Sequence, residues 1–238
     1  MPMTIPAAAR SNQVLRSTVR WGAAAALALL AHGWAQAADI KLYPTGPSED
    51  SSFVRFVSAT QDPVEVIAAG SDAKVQLAAS APATGFFPIK ANADIKGQFS
   101  RAGTNLAILL KIKPGEFASV VALADGKGLS QIVLREEPDD FNALKSSVAL
   151  YNADKACANA SLQVAGRQVF LVEAVAPGAI KRRLINPVSV AVRLTCDGKP
   201  SGNELALGQL QAGERYSVFA VPAADGTRIF MANDAVVR

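Results

Sequence analysis

Two serines stand at equivalent places in a repeated stretch, which makes them the first candidates for nucleophilic chemistry. Ser119 lies in Gly-Glu-Phe-Ala-Ser-Val-Val-Ala and Ser217 in Gly-Glu-Arg-Tyr-Ser-Val-Phe-Ala. A serine nucleophile needs a base and a group that orients the base. The chain has one histidine, His32, and no Gly-x-Ser-x-Gly elbow. Lys145 and Ser146 make a poor dyad, because adjacent residues of a strand point to opposite faces.

Four carboxylates follow an apolar run and could perform acid–base work on a glycan. They are Glu136, Glu137, Asp139 and Asp140, which surround Pro138. A charged stretch interrupted by proline is more typical of a solvated linker. We therefore predict a linker here and no catalytic residues in the chain.

A short basic cluster is the candidate contact for an anionic polymer, a phospholipid or a protein partner. It consists of Lys181, Arg182 and Arg183. Cationic side chains of this kind bind carboxylates and phosphates through charge-assisted hydrogen bonds. Most such runs are exposed turns, so the contact is the minority interpretation.

The two cysteines, Cys157 and Cys196, lie in the second half of the chain. In an exported protein an even number of cysteines most simply forms disulfides. A metal pair or a redox couple is the alternative, but the Cys-x-x-Cys spacing is absent. We predict a structural disulfide, with no metal and no cofactor.

The N-terminus has the features of a secretory signal peptide. Arg10, Arg16 and Arg20 precede the apolar run Gly22–Ala31, and the small-x-small triplet Ala35-Gln36-Ala37 follows. This order of basic head, short apolar middle and cleavage site is typical of export signals, and the run is too short for a membrane span. We predict cleavage after Ala37 and a mature protein in the periplasm.

Cleavage changes the composition on which a function can be argued. Of 24 Lys and Arg residues, three leave with the peptide, so 21 remain against 20 acidic residues. This near balance removes the support for a nucleic-acid partner. His32, Trp21 and Trp34 leave as well, which disfavours both base-assisted catalysis and a neutral-sugar platform built on Trp.

The repeat indicates which elements position these residues. Pro114-Gly115 and Ala212-Gly213 are turn sequences, and each is followed by an apolar strand pattern and then Ala-Asp-Gly, at 124–126 and 224–226. A second echo, at a spacing of 94, joins 54–59 to 148–153. Repetition at a fixed period indicates a duplicated structural unit.

The predicted fold class is all-β, with two tandem small β-sandwich domains after a cleaved signal peptide. Short β-rich runs and frequent Gly and Pro favour sandwiches over long helices. The predicted boundaries are a signal peptide at 1–37, a first sandwich at 38–136, a linker at 137–142 and a second sandwich at 143–238. The stretch 78–96 has weak periodicity and receives no assignment.

Several stretches resemble the AlgF family, a periplasmic component of the alginate O-acetylation machinery. They are Leu42-Tyr43-Pro44-Thr45-Gly46-Pro47, Ser51-Ser52-Phe53-Val54-Arg55, Leu134-Arg135-Glu136-Glu137-Pro138, Ile185-Asn186-Pro187-Val188-Ser189-Val190 and Asp197-Gly198. The two cysteines and the stretch 78–96 depart from the family pattern.

The resemblance implies a part in adding acetyl groups to mannuronate hydroxyls of exported polymer. Its implied partners are periplasmic acetyltransferase-like proteins and a membrane O-acyltransferase. Because the mature chain has no histidine, we expect an accessory adaptor with at most weak contact to anionic polysaccharide. The alternatives are an anionic-glycan-binding or cell-surface structural module, and an acetyltransferase that uses Ser119 or Ser217.

Overall fold

The computed structural model describes residues 50–126, 128–138 and 141–237, and every regular element within these ranges is a β-strand. The first half holds β1 Ser51–Ser58, β2 Val64–Ala68, β3 Lys74–Leu77, β4 Phe87–Lys90, β5 Ile95–Arg101, β6 Thr104–Leu110, β7 Phe117–Asp125 and β8 Gly128–Glu136. The second half holds β9 Ser146–Asn152, β10 Ala160–Val164, β11 Phe170–Val175, β12 Ile180–Ile185, β13 Ser189–Cys196, β14 Lys199–Gln209, β15 Arg215–Ala223 and β16 Gly226–Asn233.

The strands form four sheets, and the two halves have the same topology. The first half contains the sheets β4-β1-β7-β8 and β3-β2-β5-β6. The second half contains β12-β9-β15-β16 and β11-β10-β13-β14, which is the same order with every strand number raised by eight. The all-β class and the two sandwiches predicted from the sequence are thereby confirmed.

The register of the strands reproduces the spacings of the sequence repeat. In the first half β1 runs parallel to β7, with Phe53 beside Phe117. In the second half β9 runs parallel to β15, with Ser147 beside Arg215. Ser147 follows Phe53 by 94 residues, and Arg215 follows Phe117 by 98 residues. These are the spacings of the two sequence echoes. Gly115 and Gly213 both adopt positive φ in the turns before β7 and β15, a conformation that glycine adopts without strain.

Side chains of the four central strands alternate between two different cores. Val54 of β1 and Val120 of β7 belong to the core of the first sandwich, whereas Val57 and Val121 of the same two strands belong to a third cluster. The second half repeats this alternation, with even positions of β9 and β15 in the core of its own sandwich. Because strands buried on both faces need a layer on each side, the sheets stack in four layers.

The third cluster is the interface between the two inner sheets. Its buried residues are Val57, Ala59, Val121, Leu134, Ala149, Tyr151, Ala153, Phe219, Val221 and Phe230. Most of them have a counterpart in the other half within the same cluster. Val57 corresponds to Tyr151, and Val121 corresponds to Phe219. Full burial of a side chain of this size stabilises the fold by about 1.5–3 kcal/mol. The sandwiches therefore form one body with a continuous apolar contact.

The predicted disulfide is present. Cys157 and Cys196 are bonded, and their Cα atoms are 5.0 Å apart. The bridge joins the loop after β9 to the end of β13, and Cys157 is fully buried in the core of the second sandwich.

Other expectations have different outcomes. The unassigned stretch 78–96 contains β4 and the first residues of β5. The signal peptide at 1–37 and the motif at 42–47 lie outside the described residues. The predicted domain boundaries stay a prediction. Among the residues that the structure describes, we find no helix of the length and hydrophobicity that would let it traverse a bilayer.

Candidate functional site

A network of charged side chains occupies one end of the interface between the inner sheets. Arg55 of β1 is at its centre, and the Arg55 side chain is 0% exposed. A strand places its odd and even residues on opposite faces, so Arg55 shares the interface face with Val57. A buried arginine is tolerated only when its donors and its charge are matched.

Each of the three side-chain nitrogens of Arg55 donates a hydrogen bond. Its Nε donates to Ser119 Oγ at 2.7 Å, and its Nη2 donates to Ser217 Oγ at 2.7 Å. Its Nη1 donates to Asp234 Oδ1 at 2.7 Å, which forms a salt bridge. Ser217 Oγ in turn donates to the same carboxylate oxygen at 2.6 Å. One guanidinium from the first sandwich therefore binds both repeated serines and a carboxylate of the second sandwich.

Aromatic rings enclose the same guanidinium. Its central carbon lies 4.3 Å from the ring centroid of Phe86, 5.0 Å from that of Tyr151 and 4.8 Å from that of Phe219. A cation over an aromatic face is attracted by the ring quadrupole, and more strongly when water is excluded. The rings thus stabilise the charge of Arg55 as well as the apolar contact around it.

A second arginine, Arg182 of β12, joins two carboxylates. Its Nε and Nη2 bind the two oxygens of Glu136 at 2.8 and 3.0 Å, and Nη2 also donates to Asp234 Oδ2 at 2.8 Å. Glu136 accepts further bonds from Arg215 and from the Tyr151 hydroxyl. A forked guanidinium–carboxylate pair fixes geometry as well as charge. Because Glu136 ends β8 and Arg182 lies on β12, this pair also links the two sandwiches.

The repeat supplies part of the network twice. Ser119 and Ser217 are 98 residues apart, as are Glu136 and Asp234. The arginines break this symmetry. The strand registers make Ala149 the counterpart of Arg55. By the same registers the counterpart of Arg182 is Phe86. The duplicated carboxylates and hydroxyls are therefore matched by arginines that each occur in one half.

The network shifts the proton affinities of its members. Burial by itself would raise the pKa of Asp234, but Arg55, Arg182 and the Ser217 hydroxyl together bring that pKa below its usual value. Burial raises the pKa of the Tyr151 phenol, and Glu136 and Asp234 raise it further against the opposing arginines. Asp234 is thus a carboxylate and Tyr151 a neutral donor at physiological pH.

A small cavity of about 100 Å³ borders the network. It is lined by Phe86, Phe117, Glu136, Phe141, Tyr151, Arg182, Arg215, Asp234 and Val236. Arg215 also lies 5.1 Å from the ring centroid of Phe141, whose side chain is 63% exposed. The three arginines of the network outnumber its two carboxylates by one positive charge.

The two repeated serines are inaccessible to a substrate in this arrangement. Ser119 and Ser217 are 1% and 0% exposed, and both hydroxyl oxygens are bound by Arg55. A nucleophile must reach its substrate, and a carboxylate of lowered pKa is a weak base. Within the described residues no group of His, Cys, Asp and Glu is arranged to hold a metal ion.

The basic cluster of the sequence does not form one patch. Lys181 and Arg183 are exposed, and they donate to carbonyl oxygens of Glu173 and Phe170 on β11. Arg182 points the other way, into the interface, and its side chain is only 10% exposed. These three residues lie on a strand, not in the exposed turn that their charge suggested. Contact with a polyanion or a partner stays a prediction for Lys181, Arg182 and Arg183, of which Lys181 and Arg183 are the exposed members.

The carboxylates beside Pro138 are separated as well. Glu136 is 11% exposed and bonded to Arg182 and Arg215, so a solvated linker is the wrong description for it. Glu137 is exposed, and Asp139 and Asp140 lie outside the described residues. Sequence reasoning missed Asp234, although its spacing of 98 from Glu136 was available as a signal.

Comparison with known families identifies the relationship. The family described as "Alginate O-acetyl transferase AlgF" matches residues 24–217, which is most of the chain. The chain belongs to the AlgF family. AlgF membership confirms the resemblance found in the sequence and implies involvement in alginate O-acetylation. No curated protein matches the chain.

Solved structures resemble this AlgF protein only distantly. CBMbc, a family CBM26 domain of Eubacterium rectale Amy13K solved with maltoheptaose, is 11% identical, covers 76% of this chain and 96% of its own, and has a TM-score of 0.24. A "putative cell adhesion protein" from Bacteroides uniformis is 10% identical, with coverages of 79% and 98% and a TM-score of 0.29. At these scores the likeness carries no information on function.

Proposed function

We propose that this AlgF protein is a non-catalytic periplasmic adaptor of an exopolysaccharide O-acetylation complex. It would link a membrane acyltransferase system to hydrolase-like acetyltransferases that modify mannuronate hydroxyls. The observation that carries the proposal is the Arg55 and Arg182 network, which joins two duplicated sandwiches into one body. A family role in alginate O-acetylation supplies the pathway.

A rigid pair of sandwiches suits an adaptor for a physical reason. Binding two partners costs less entropy when their sites are already held at a fixed separation. In this chain the separation is set by the apolar interface and by the ion pairs that cross it, which join Arg55 to Asp234 and Glu136 to Arg182 and Arg215. Each sandwich also has an outer sheet, β3-β2-β5-β6 or β11-β10-β13-β14. In this proposal the two outer sheets supply the contacts with other proteins.

Exposed apolar side chains mark where such contacts can be tested. Leu109 on the outer sheet of the first sandwich is 68% exposed, and Val169 beside β11 of the second is 54% exposed. Large exposed apolar residues are common at protein interfaces, although single ones also occur on ordinary surfaces. They provide one test position in each sandwich.

The decisive experiment uses the full mature chain and purified pathway partners. Complex formation is measured by size-exclusion chromatography with light scattering for the unchanged protein, for Leu109→Glu and for Val169→Glu. We expect a ternary complex with the unchanged protein and the loss of a different partner with each variant. Ester hydrolysis or acetyl transfer by the isolated chain at enzymatic rates would overturn the proposal. Salt-sensitive binding to alginate without affinity for any partner would favour the glycan-binding alternative.

A further inference from the structure

The first sandwich has an apolar cleft at one end of its core. The cleft measures about 270 Å³ and opens between its two sheets. Its walls are formed by Phe56, Val66, Ile67, Ala68, Ala73, Val75, Phe87, Ile95, Lys96, Gly97 and Ile108. Val66 and Ile108 are buried, whereas Ala68 and Ala73 are exposed and form the mouth.

Comparison with the second sandwich shows why this space is empty in the first. In the first sandwich Ala68 pairs with Gly97, and at the same place in the second sandwich Val164 pairs with Val192. Val192 is fully buried in the core of its sandwich. A Cβ at position 97 would approach the carbonyl oxygen of Ile67 to 2.6 Å, so this strand position excludes a side chain.

The fourth strand of each sandwich differs in the same direction. Phe87 lines the cleft, and the register of β4 and β12 makes Arg183 its counterpart. Arg183 donates to carbonyl oxygens of β11 and bridges the two sheets there. A cleft of about 460 Å³ at that end of the second sandwich is lined in part by polar residues, including Arg167 and Asn186. The apolar character is thus specific to the first sandwich.

Lys96, one of the residues that line the cleft, belongs to a small cluster with an excess of positive charge. Lys96 Nζ lies 3.8 Å from Asp94, and Lys111 Nζ lies 3.3 Å from the same carboxylate. Two lysines therefore share one aspartate. An anionic group beside Lys96 would balance this charge, and Lys96 is the one lining residue of the cleft whose side chain can donate a hydrogen bond.

We propose that this cleft binds the aliphatic chain of a single-chain fatty carboxylate, with its carboxylate at Lys96. A cavity of about 150 Å³ lined by apolar side chains holds benzene, with six carbons. By that scale the 270 Å³ cleft holds about ten carbons. Because burial of a methylene is worth about fourfold in affinity, the site selects chains by length up to that limit. The site lies within one sandwich and is independent of the adaptor role.

The test is a chain-length series on the full mature protein. Hexanoate, octanoate, decanoate and dodecanoate are titrated below their micelle concentrations by calorimetry, with amide NMR shifts to locate the site. We expect affinity to rise about fourfold per added carbon and to level off near ten carbons. Equal weak binding of all chain lengths, or shifts outside the cleft, would overturn the proposal.

Two variants and a control separate the chain from the head group. Ala68→Phe fills the mouth and is expected to weaken decanoate binding at least tenfold, whereas Ala107→Phe, on the outer face of β6, leaves it unchanged. Lys96→Gln is expected to weaken decanoate about two- to fivefold and to leave decanol unchanged. Retained binding in Ala68→Phe contradicts the site.

Other occupants give different results. If decanoate does not bind but vesicles containing phosphatidylglycerol do, the ligand is a membrane surface and the proposal is wrong. If neither binds and Ala68→Phe abolishes complex formation with a pathway protein, the cleft receives an apolar side chain of that partner, which also overturns the proposal.

Discussion

Replacement of Arg55 by methionine tests whether the polar network holds the two sandwiches together. Methionine keeps most of the side-chain length and removes the charge and all three hydrogen bonds. The change leaves Ser119 Oγ without its donor and takes one cation from Asp234, which keeps Arg182 and Ser217. It also removes the cation from three aromatic rings.

The expected loss follows from these contacts. Breaking a buried ion pair by removal of one partner costs about 3–5 kcal/mol. We therefore expect Arg55→Met to lower the free energy of unfolding by about 4 kcal/mol, out of a total of roughly 5–15 kcal/mol for a typical protein. For a chain of this size the melting temperature should fall by about 8–16 °C.

The assay is thermal and urea unfolding followed by circular dichroism. Arg193→Met is the matched control, because Arg193 pairs with Glu204 at the surface and both side chains are more than 40% exposed. Such a pair is worth at most about 1 kcal/mol. A loss in Arg55→Met no larger than in Arg193→Met would refute the assignment of the network as the clamp. In a cycle with Asp234→Asn, the two losses should be non-additive by about 1 kcal/mol or more.

Three further predictions concern the same body. Glu136→Gln should destabilise the protein by about 2–4 kcal/mol because three donors bind Glu136, whereas Glu137→Gln at an exposed position should stay within about 0.5 kcal/mol in urea titrations. The lowered pKa of Asp234 means that its stabilisation is complete above the unfolded-state pKa of about 3.9 and is lost as the pH falls through the folded-state value. Asp234→Asn should therefore flatten the acid limb of stability against pH, and an unchanged limb would contradict the shift. Reduction of Cys157–Cys196, which are 39 residues apart, should cost about 4 kcal/mol, visible as a lower melting temperature in reductant.

Much of the fold could be predicted because the repeat carries topological information. The glycine turns at Gly115 and Gly213 and the Asp-Gly hairpins gave the strands β7, β8, β15 and β16. The sequence pattern does not predict the strands β4, β5, β10 and β12. Strand β12 contains Lys181-Arg182-Arg183, and a run of charges obscures the alternation by which one of them turns inward.

The site was less accessible to sequence reasoning. Arg55 sits in an apolar strand, and nothing local distinguishes a buried arginine from an edge residue. Its partners Ser217 and Asp234 are 162 and 179 residues away, so the contact depends on how the inner sheets stack. The sequence marks Glu136 as a candidate carboxylate, but the nearby Pro138 favours the linker interpretation. Its burial arises from a pairing with Arg182 that only the assembled fold creates.

The central interface resembles that of a two-fold dimer whose subunits have been joined in one chain. In a symmetric dimer every residue enters the contact twice, so a second Arg55 would face the first across the same small region. Joining the subunits removes that constraint, and Ala149 occupies the position where the second arginine would stand. Linkage also replaces association in solution by a contact within one molecule, which no longer depends on protein concentration. The two halves can therefore differ in their outer surfaces while the shared face keeps its geometry.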